Sequence, residues 1–236
     1  MGTALIGPFV GSFLAATADR LLAGTPVFTA RSRCETCHRA LRPFELVPIL
    51  SWLGLRGRCA RCGASIPASL LATEIAAAIV GLTGAFAAPG WLALASAGLG
   101  WALLFLALLD LRAFWLPRIG GWTLAAAGLA VNAALGPEPL RAALIGAALG
   151  WAALAGIGWA YTRLRGRDGL GEGDPPLLAA AGAWVGWPGQ PTVLLLAALT
   201  GLAHGLLTRR APEPARIPFG AHLAFALWFV WLSGPL

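Results

Sequence analysis

Long apolar runs, broken at intervals by short segments rich in arginine, constrain this chain more than any other feature. A bilayer span needs about 20 mostly apolar residues. Eight runs approach that length: about residues 4–22, 69–88, 92–110, 119–136, 140–162, 175–188, 191–208 and 217–235. At 58% apolar and 11% charged residues, the chain could not cover a water-facing surface, since a soluble domain carries about 25% charged residues. The pattern predicts an all-α polytopic membrane protein of about eight transmembrane helices. The run 175–188 is too short to cross upright, so it is expected to be buried among its neighbours or extended by loop residues.

All 17 basic residues are arginine, and the net charge is +7. They fall between the apolar runs: Arg31, Arg33, Arg39, Arg42, Arg56, Arg58 and Arg61; Arg112 and Arg118; Arg163, Arg165 and Arg167; Arg209, Arg210 and Arg216. Eight alternating spans put all four groups on one side, and the opposite loops hold Arg141 alone. The positive-inside rule makes the arginine-rich side cytoplasmic, with both termini on the other side. This distribution speaks for anionic lipid head groups as partner and against nucleic acid. Met1–Leu22 lacks the basic start and cleavage site of a removable signal, and reads as a first span that stays. The expected division is 1–22 as first transmembrane helix, 23–68 as a cytoplasmic tetracysteine domain, and 69–236 as the membrane core. Abundant Gly and Ala in the spans read as close helix packing. Trp91, Trp115, Trp122, Trp187 and Trp231, near span ends, read as interfacial anchors.

All four cysteines lie in the first arginine-rich loop, as Cys34-Glu35-Thr36-Cys37 and Cys59-Ala60-Arg61-Cys62, with 21 residues between the pairs. Each C-x-x-C turn aims two sulfurs at one point, and two such turns complete a tetrahedral zinc shell. Gly63 suits the tight turn after the second pair. A closed four-thiolate site predicts a structural zinc that pins a loop too short and polar to build its own core. His38 adjoins a filled shell and reads as a bystander.

Three acidic residues stand in or at the edges of apolar runs on the cytoplasmic side: Glu74, Asp110 and Asp174. Ionisable groups there are functional candidates; the plainer reading of a single aspartate at a span end is a solvated interface. Asp110 ends the third run. Asp174 ends Gly-Leu-Gly-Glu-Gly-Asp, where Gly171 and Gly173 allow close backbone approach, and Pro175-Pro176 suits the first turn of a helix. Two carboxylates held together share one proton, so one takes a proton from water while the other donates to a peptide carbonyl. That is aspartyl-protease chemistry. His38, His204 and His222 form no close-spaced motif with a nucleophile.

At these residues the chain resembles the type IV prepilin peptidases, the bifunctional leader peptidase and N-methyltransferase family, over nearly its whole length. The resemblance is carried, in order, by Gly11-Ser12-Phe13-Leu14, by Cys34 to Cys62 with Leu46–Leu53 and Leu55–Arg58 between the pairs, and by Glu74. It continues in Asp110 with Leu116-Pro117, in Gly171-Glu172-Gly173-Asp174 followed by Leu177–Ala180 and Gly182–Trp184, and in Ile217-Pro218-Phe219-Gly220. It implies an enzyme of the bacterial inner membrane that cuts type IV prepilins or type II secretion pseudopilins. The cut falls at the cytoplasmic face, after a Gly and before the apolar segment, with Asp110 and Asp174 as catalytic pair. It also implies methylation of the new N-terminal amine by S-adenosylmethionine, with Glu74 and the cytoplasmic domain as candidates; there is no G-x-G-x-x-G to mark a donor site.

Three positions depart from the family pattern: Arg118 where Asp is common, Pro176 where Lys is usual, and Ala15 where Asn is frequent. The missing Lys removes a positive neighbour of Asp174. The alternatives are therefore a weakened or inactive member, or a membrane transporter using Asp110 and Asp174. A transporter would be expected to carry charge at mid-membrane or broken helices in paired repeats. A non-catalytic zinc-bearing scaffold would tolerate changes in the G-x-G-D loop.

Overall fold

The computed structural model describes residues 2–27, 31–87, 89–167, 169–208 and 217–234. Arg209, Arg210 and Arg216, counted above in the last arginine group, lie outside the described residues. Among the described residues the chain is helical, with no strand beyond two isolated bridges. The helices are α1 (Gly2–Leu22), α2 (Leu50–Gly54), α3 (Ala68–Ala87), α4 (Trp91–Ala113), α5 (Arg118–Leu135), α6 (Pro137–Arg165), α7 (Asp174–Thr208) and α8 (Phe219–Leu232). Five of them, α1, α3, α4, α6 and α7, are long and apolar enough to cross a membrane, and α8 is a shorter apolar helix.

The expected runs 175–188 and 191–208 form one stretch, α7, interrupted at Gly186 with φ 66°. The cause is local: Gly186 combines positive φ with an extended ψ of 175°, a conformation open essentially to glycine alone, and Pro188 suits the start of the next helical segment. Every residue from Pro176 to Gly186 is buried inside the protein. That is how so short a run is accommodated: its outer surface is helix, not lipid.

The chain divides into two compact units, residues 1–101 and 102–236, with the boundary inside α4. In the first, α1 packs on α3. The buried positions of α1 are Thr3, Gly7, Gly11, Ala15 and Ala18, while Leu5, Phe9 and Phe13 face outward. Small residues inside and large ones outside suit a bilayer, where helices associate by close backbone contact. Added at Gly11, a Cβ would stand 2.7 Å from the Cα of Glu74. The Thr3 hydroxyl donates to the Gly81 carbonyl at 2.8 Å and fixes the register of the pair.

In the second unit α7 is central, against α5, α6 and α8. Trp184 of α7 donates through Nε1 to the Leu124 carbonyl of α5 at 2.8 Å, and the Asn132 amide of α5 donates to the Ala183 carbonyl at 2.9 Å. Trp231 corrects the sequence expectation. It is 2% exposed, with its ring edge-on to Trp184 at 5.2 Å. It is a core residue joining α7 to α8 rather than an interfacial anchor; proximity to a span end says nothing about which way a helix face turns. Trp91, Trp115, Trp122 and Trp187 are exposed.

Candidate active site and metal centre

Asp110 lies in the last turn of α4, and Asp174 opens α7; 63 residues separate them in sequence. Each is 6% exposed. Both carboxylates lie in the second unit, and Leu116 packs against the glycines beside each of them. Asp110 Oδ2 accepts the Ala221 amide at 2.8 Å, with the Gly220 amide also donating to this carboxylate. Asp174 Oδ2 accepts the Gly171 amide at 3.1 Å, while the Asp174 amide donates to the Gly171 carbonyl at 3.1 Å. The G-x-G-D loop thus closes on its own aspartate.

Leu116 joins the two halves. A Cβ at Gly220 would stand 3.0 Å from Leu116 Cδ2 and 3.0 Å from Asp110 Oδ2. A Cβ at Gly173 would stand 2.7 Å from Leu116 Cβ and closer still to its carbonyl oxygen. Leu116 is therefore wedged between the glycine before Asp174 and the glycine beside Asp110. The chain reaches it by a turn at Phe114, whose φ is 50° and whose amide donates to the Asp110 carbonyl at 2.8 Å.

The departures acquire structural roles. Arg118, at the start of α5, pairs with Glu172 of the G-x-G-D loop at 3.5 Å, with both side chains exposed. Pro176 is buried, and a Cβ at Gly121 of α5 would stand 2.7 Å from it, which leaves little room for a longer side chain there. Ala15 is buried in α1.

The four cysteines gather in the first unit, with their sulfurs all within 4.8 Å of one another. Cys34 Sγ and Cys62 Sγ are 3.8 Å apart. Four sulfurs about 2.3 Å from one tetrahedral ion would lie about 3.8 Å apart, so the cluster fits a metal site. It is built by two matching turns. The Cys34 amide donates to Arg39 and the His38 amide to Cys34; the Cys59 amide donates to Ala64 and the Gly63 amide to Cys59. His38 and Gly63, each one residue past its C-x-x-C, have φ 53° and 70°. His38 is thus a turn residue. The Cys62 and Arg61 amides pull the Cys59 thiol down from 9.0 to about 6, and the Cys37 and Thr36 amides lower Cys34 in the same way. Beside the cluster Arg39 pairs with the buried Glu45 at 2.5 Å, and that guanidinium holds the Glu45 carboxyl below its usual range, helped by the Arg42 amide.

Glu74 is buried in α3, in the first unit, and its Oε2 accepts the Ile49 amide at 2.7 Å. Sequence reasoning missed the Ala221 amide, Leu116 and Ile49. Leu116-Pro117 and Ile217–Gly220 are visible as motifs, but nothing in them states what they touch.

Two family models match the chain: one described as the bacterial peptidase A24 N-terminal domain over residues 5–87, and one as the type IV leader peptidase family over residues 97–206. A protein of Aeromonas salmonicida named prepilin leader peptidase/N-methyltransferase is 40% identical over 208 residues, 86% of this chain and 72% of that protein. The chain belongs to the type IV leader peptidase family. Proteins of the same name from Burkholderia pseudomallei and Stutzerimonas stutzeri are 42% and 35% identical, covering 87% and 94% of this chain and 68% and 78% of their own. No solved structure matches. The family match runs through both the G-x-G-D loop and Asp110, and these relatives are named as peptidases rather than transporters.

Proposed function

We propose that the chain is a membrane aspartyl endopeptidase that removes the leader of type IV prepilins or type II secretion pseudopilins, and that it then methylates the new N-terminal amine. The names of its relatives support the activity. The observation that supports it is the burial of Asp110 and Asp174 in one unit, each held by a backbone amide and both flanked through their neighbouring glycines by Leu116.

In this reading the two carboxylates share one proton. Water lies against the pair, the ionised carboxylate takes its proton, and the hydroxyl adds to the scissile carbonyl carbon. The protonated carboxylate donates to the carbonyl oxygen. Collapse breaks the C–N bond: the carboxyl that took the water proton gives it to the leaving nitrogen, and the hydroxyl proton of the tetrahedral intermediate returns to the other carboxylate. The amides of Gly171, Gly220 and Ala221 hold the carboxylates in register throughout, which is where positioning enters the barrier. Gly171 lets the loop close on the Asp174 carboxylate, and Gly173 lets it pack on Leu116.

The tetracysteine cluster is read as a structural zinc site, closed by Cys34, Cys37, Cys59 and Cys62. About eight spans, the arginine-rich loops in the cytoplasm and both termini in the periplasm complete the topology in the bacterial inner membrane. S-adenosylmethionine is the methyl donor. Pro176 is buried closely against Gly121 of α5, so that departure is accommodated by the packing of α7.

Co-expression with a prepilin, followed by gel shift of the leader and mass spectrometry of the product N-terminus, tests both activities. Loss of the leader with addition of 14 mass units, the gain of one CH2, is the expected result. An intact prepilin beside a well-folded chain would remove the peptidase reading.

A further inference from the structure

Two of the three histidines, 18 residues apart in sequence, meet in the structure: His204 Nδ1 and His222 Nε2 are 3.0 Å apart. A neutral imidazole carries one N–H and one free lone pair, so one ring donates and the other accepts. The rings cross at 68°, with centroids 5.2 Å apart. His204 stands near the end of α7, and His222 in the first turn of α8. Neither belongs to the aspartate pair, and no step above uses them.

His222 follows directly on the residue whose amide holds Asp110. α8 opens at Pro218 without a side-chain cap. The first amides of a helix lack partners within it, and here those of Gly220 and Ala221 are spent on the Asp110 carboxylate. The place of the first turn of α8 therefore sets the place of that carboxylate. On α7, Gly201, His204 and Gly205 share one face, as residues three and four apart do in a helix. That face receives the start of α8. A Cβ at Gly205 would stand 2.9 Å from Ile217 Cδ1, and one at Gly201 3.7 Å from both Ile217 Cγ2 and His222 Cδ2. Trp184 against Trp231 also joins the two helices. Trp231, however, lies nine residues beyond His222, which is about 14 Å along a helix. A contact that far along serves the first turn as a pivot, not as a latch.

We propose that His204 and His222 are positioning residues for the cleavage reaction: their hydrogen bond latches the first turn of α8 onto α7 and so keeps the Gly220 and Ala221 amides on Asp110. The inference rests on the peptidase reading above. Both imidazoles act through the backbone of α8. The ring atoms they use decide what can replace them. An asparagine amide lies as many bonds from Cα as histidine Nδ1, and a glutamine amide as many as Nε2. Either amide offers both a donor and an acceptor. His204 bonds through Nδ1 and His222 through Nε2. Asparagine can therefore stand in for His204 and glutamine for His222, whereas asparagine at 222 falls short of its partner.

Steady-state cleavage of a prepilin by the full chain in lipid discs reads the effect. His222→Asn and His204→Leu are expected to lower kcat about tenfold or more, on the scale of moving a reacting group by about 1 Å, with KM within about twofold. His222→Gln and His204→Asn restore the hydrogen bond and are expected to keep kcat within about threefold of wild type. Hydrogen exchange at the Ala221 amide, read by mass spectrometry on the same discs, should quicken in the first two variants and not in the second two. A merely structural pair would lower the melting temperature and the amount of folded protein, and leave kcat per folded chain unchanged. His222→Asn differs from His222→Gln by one methylene, and it decides the matter should His204→Leu fold poorly. Wild-type kcat and wild-type exchange in His222→Asn overturn the positioning role while the peptidase reading stands. So does a loss shared equally by His222→Asn and His222→Gln, since the hydrogen bond would then not be what matters. A wild-type chain that leaves prepilin uncut overturns the peptidase reading and this inference with it.

Discussion

The amide of Ala221 donates to the carboxylate of Asp110 at 2.8 Å, across 111 residues of chain. The N-terminus of α8 thereby holds the aspartate that ends α4, and Gly220 is the residue that permits the approach. Gly220→Ala would place a methyl 3.0 Å from both Asp110 Oδ2 and Leu116 Cδ2. Displacing a reacting group by about 1 Å costs on the order of 100-fold in rate. Leader cleavage by Gly220→Ala is expected to fall by 10- to 100-fold on that scale, with normal accumulation in the membrane. Wild-type cleavage rates in this variant would show that the contact does not position Asp110.

Asp110→Asn and Asp174→Asn are each expected to lower leader cleavage by on the order of 10²–10⁴-fold. The double variant should be little worse than either single one, because groups that act as a unit are not additive. Single-turnover assays on purified protein measure this. Two independent, multiplying losses would argue against a shared proton.

Arg118 and Glu172 form an exposed pair, 67% and 82% accessible at the side chains. Exposed pairs contribute roughly 0–1 kcal/mol. Arg118→Ala and Glu172→Ala are therefore expected to change cleavage by less than about fivefold, and less still at high salt. A much larger loss on Arg118→Ala alone, at any ionic strength, would mean that Arg118 touches substrate.

The tetracysteine cluster is expected to carry one zinc per chain, measurable by elemental analysis, and Cys59→Ser to lower that content sharply. Its acid response is led by Cys59, drawn from 9.0 to about 6 chiefly by the Cys62 amide, whereas the neighbouring Cys62 thiol is raised to about 11 and gains its thiolate only on ligation. The folded Cys59 value lies below the unfolded one, so the thiolate's contribution is full above pH 9 and is lost as pH falls through about 6. Bound metal pushes the loss to lower pH, since ligation requires the thiolate. Zinc release and protease sensitivity of residues 31–67 should therefore rise together on acidification. A loop that stays protected after the metal has gone would make the site dispensable for its fold.

Some of this protein was legible without a structure. Asp110, Asp174 and Glu74 stand out because charge is rare and unfavourable in apolar runs, and the cysteines because two C-x-x-C turns can converge on one ion. A break near the end of the short run was legible as the gap between residues 188 and 191, and the structure places it at Gly186, inside that run. Trp231 was misplaced because periodicity does not tell a lipid-facing position from a core one: both are apolar. The contacts of Gly220, Leu116 and Ile49 were invisible because backbone amides leave no mark in residue type.

Two aspartates, four cysteines and a run of apolar helices were determined by the sequence alone, because each follows from residue chemistry and spacing along one chain. The tertiary structure decided what faces them. Asp110 and Asp174, 63 residues apart in sequence, are buried in the same unit, Ala221 and Gly171 orient their carboxylates, and a strained Ile49 turns toward Glu74. Those relationships depend on how helices rotate and how closely their glycines let them approach. These are properties of packing between elements distant in sequence, and no local pattern encodes them.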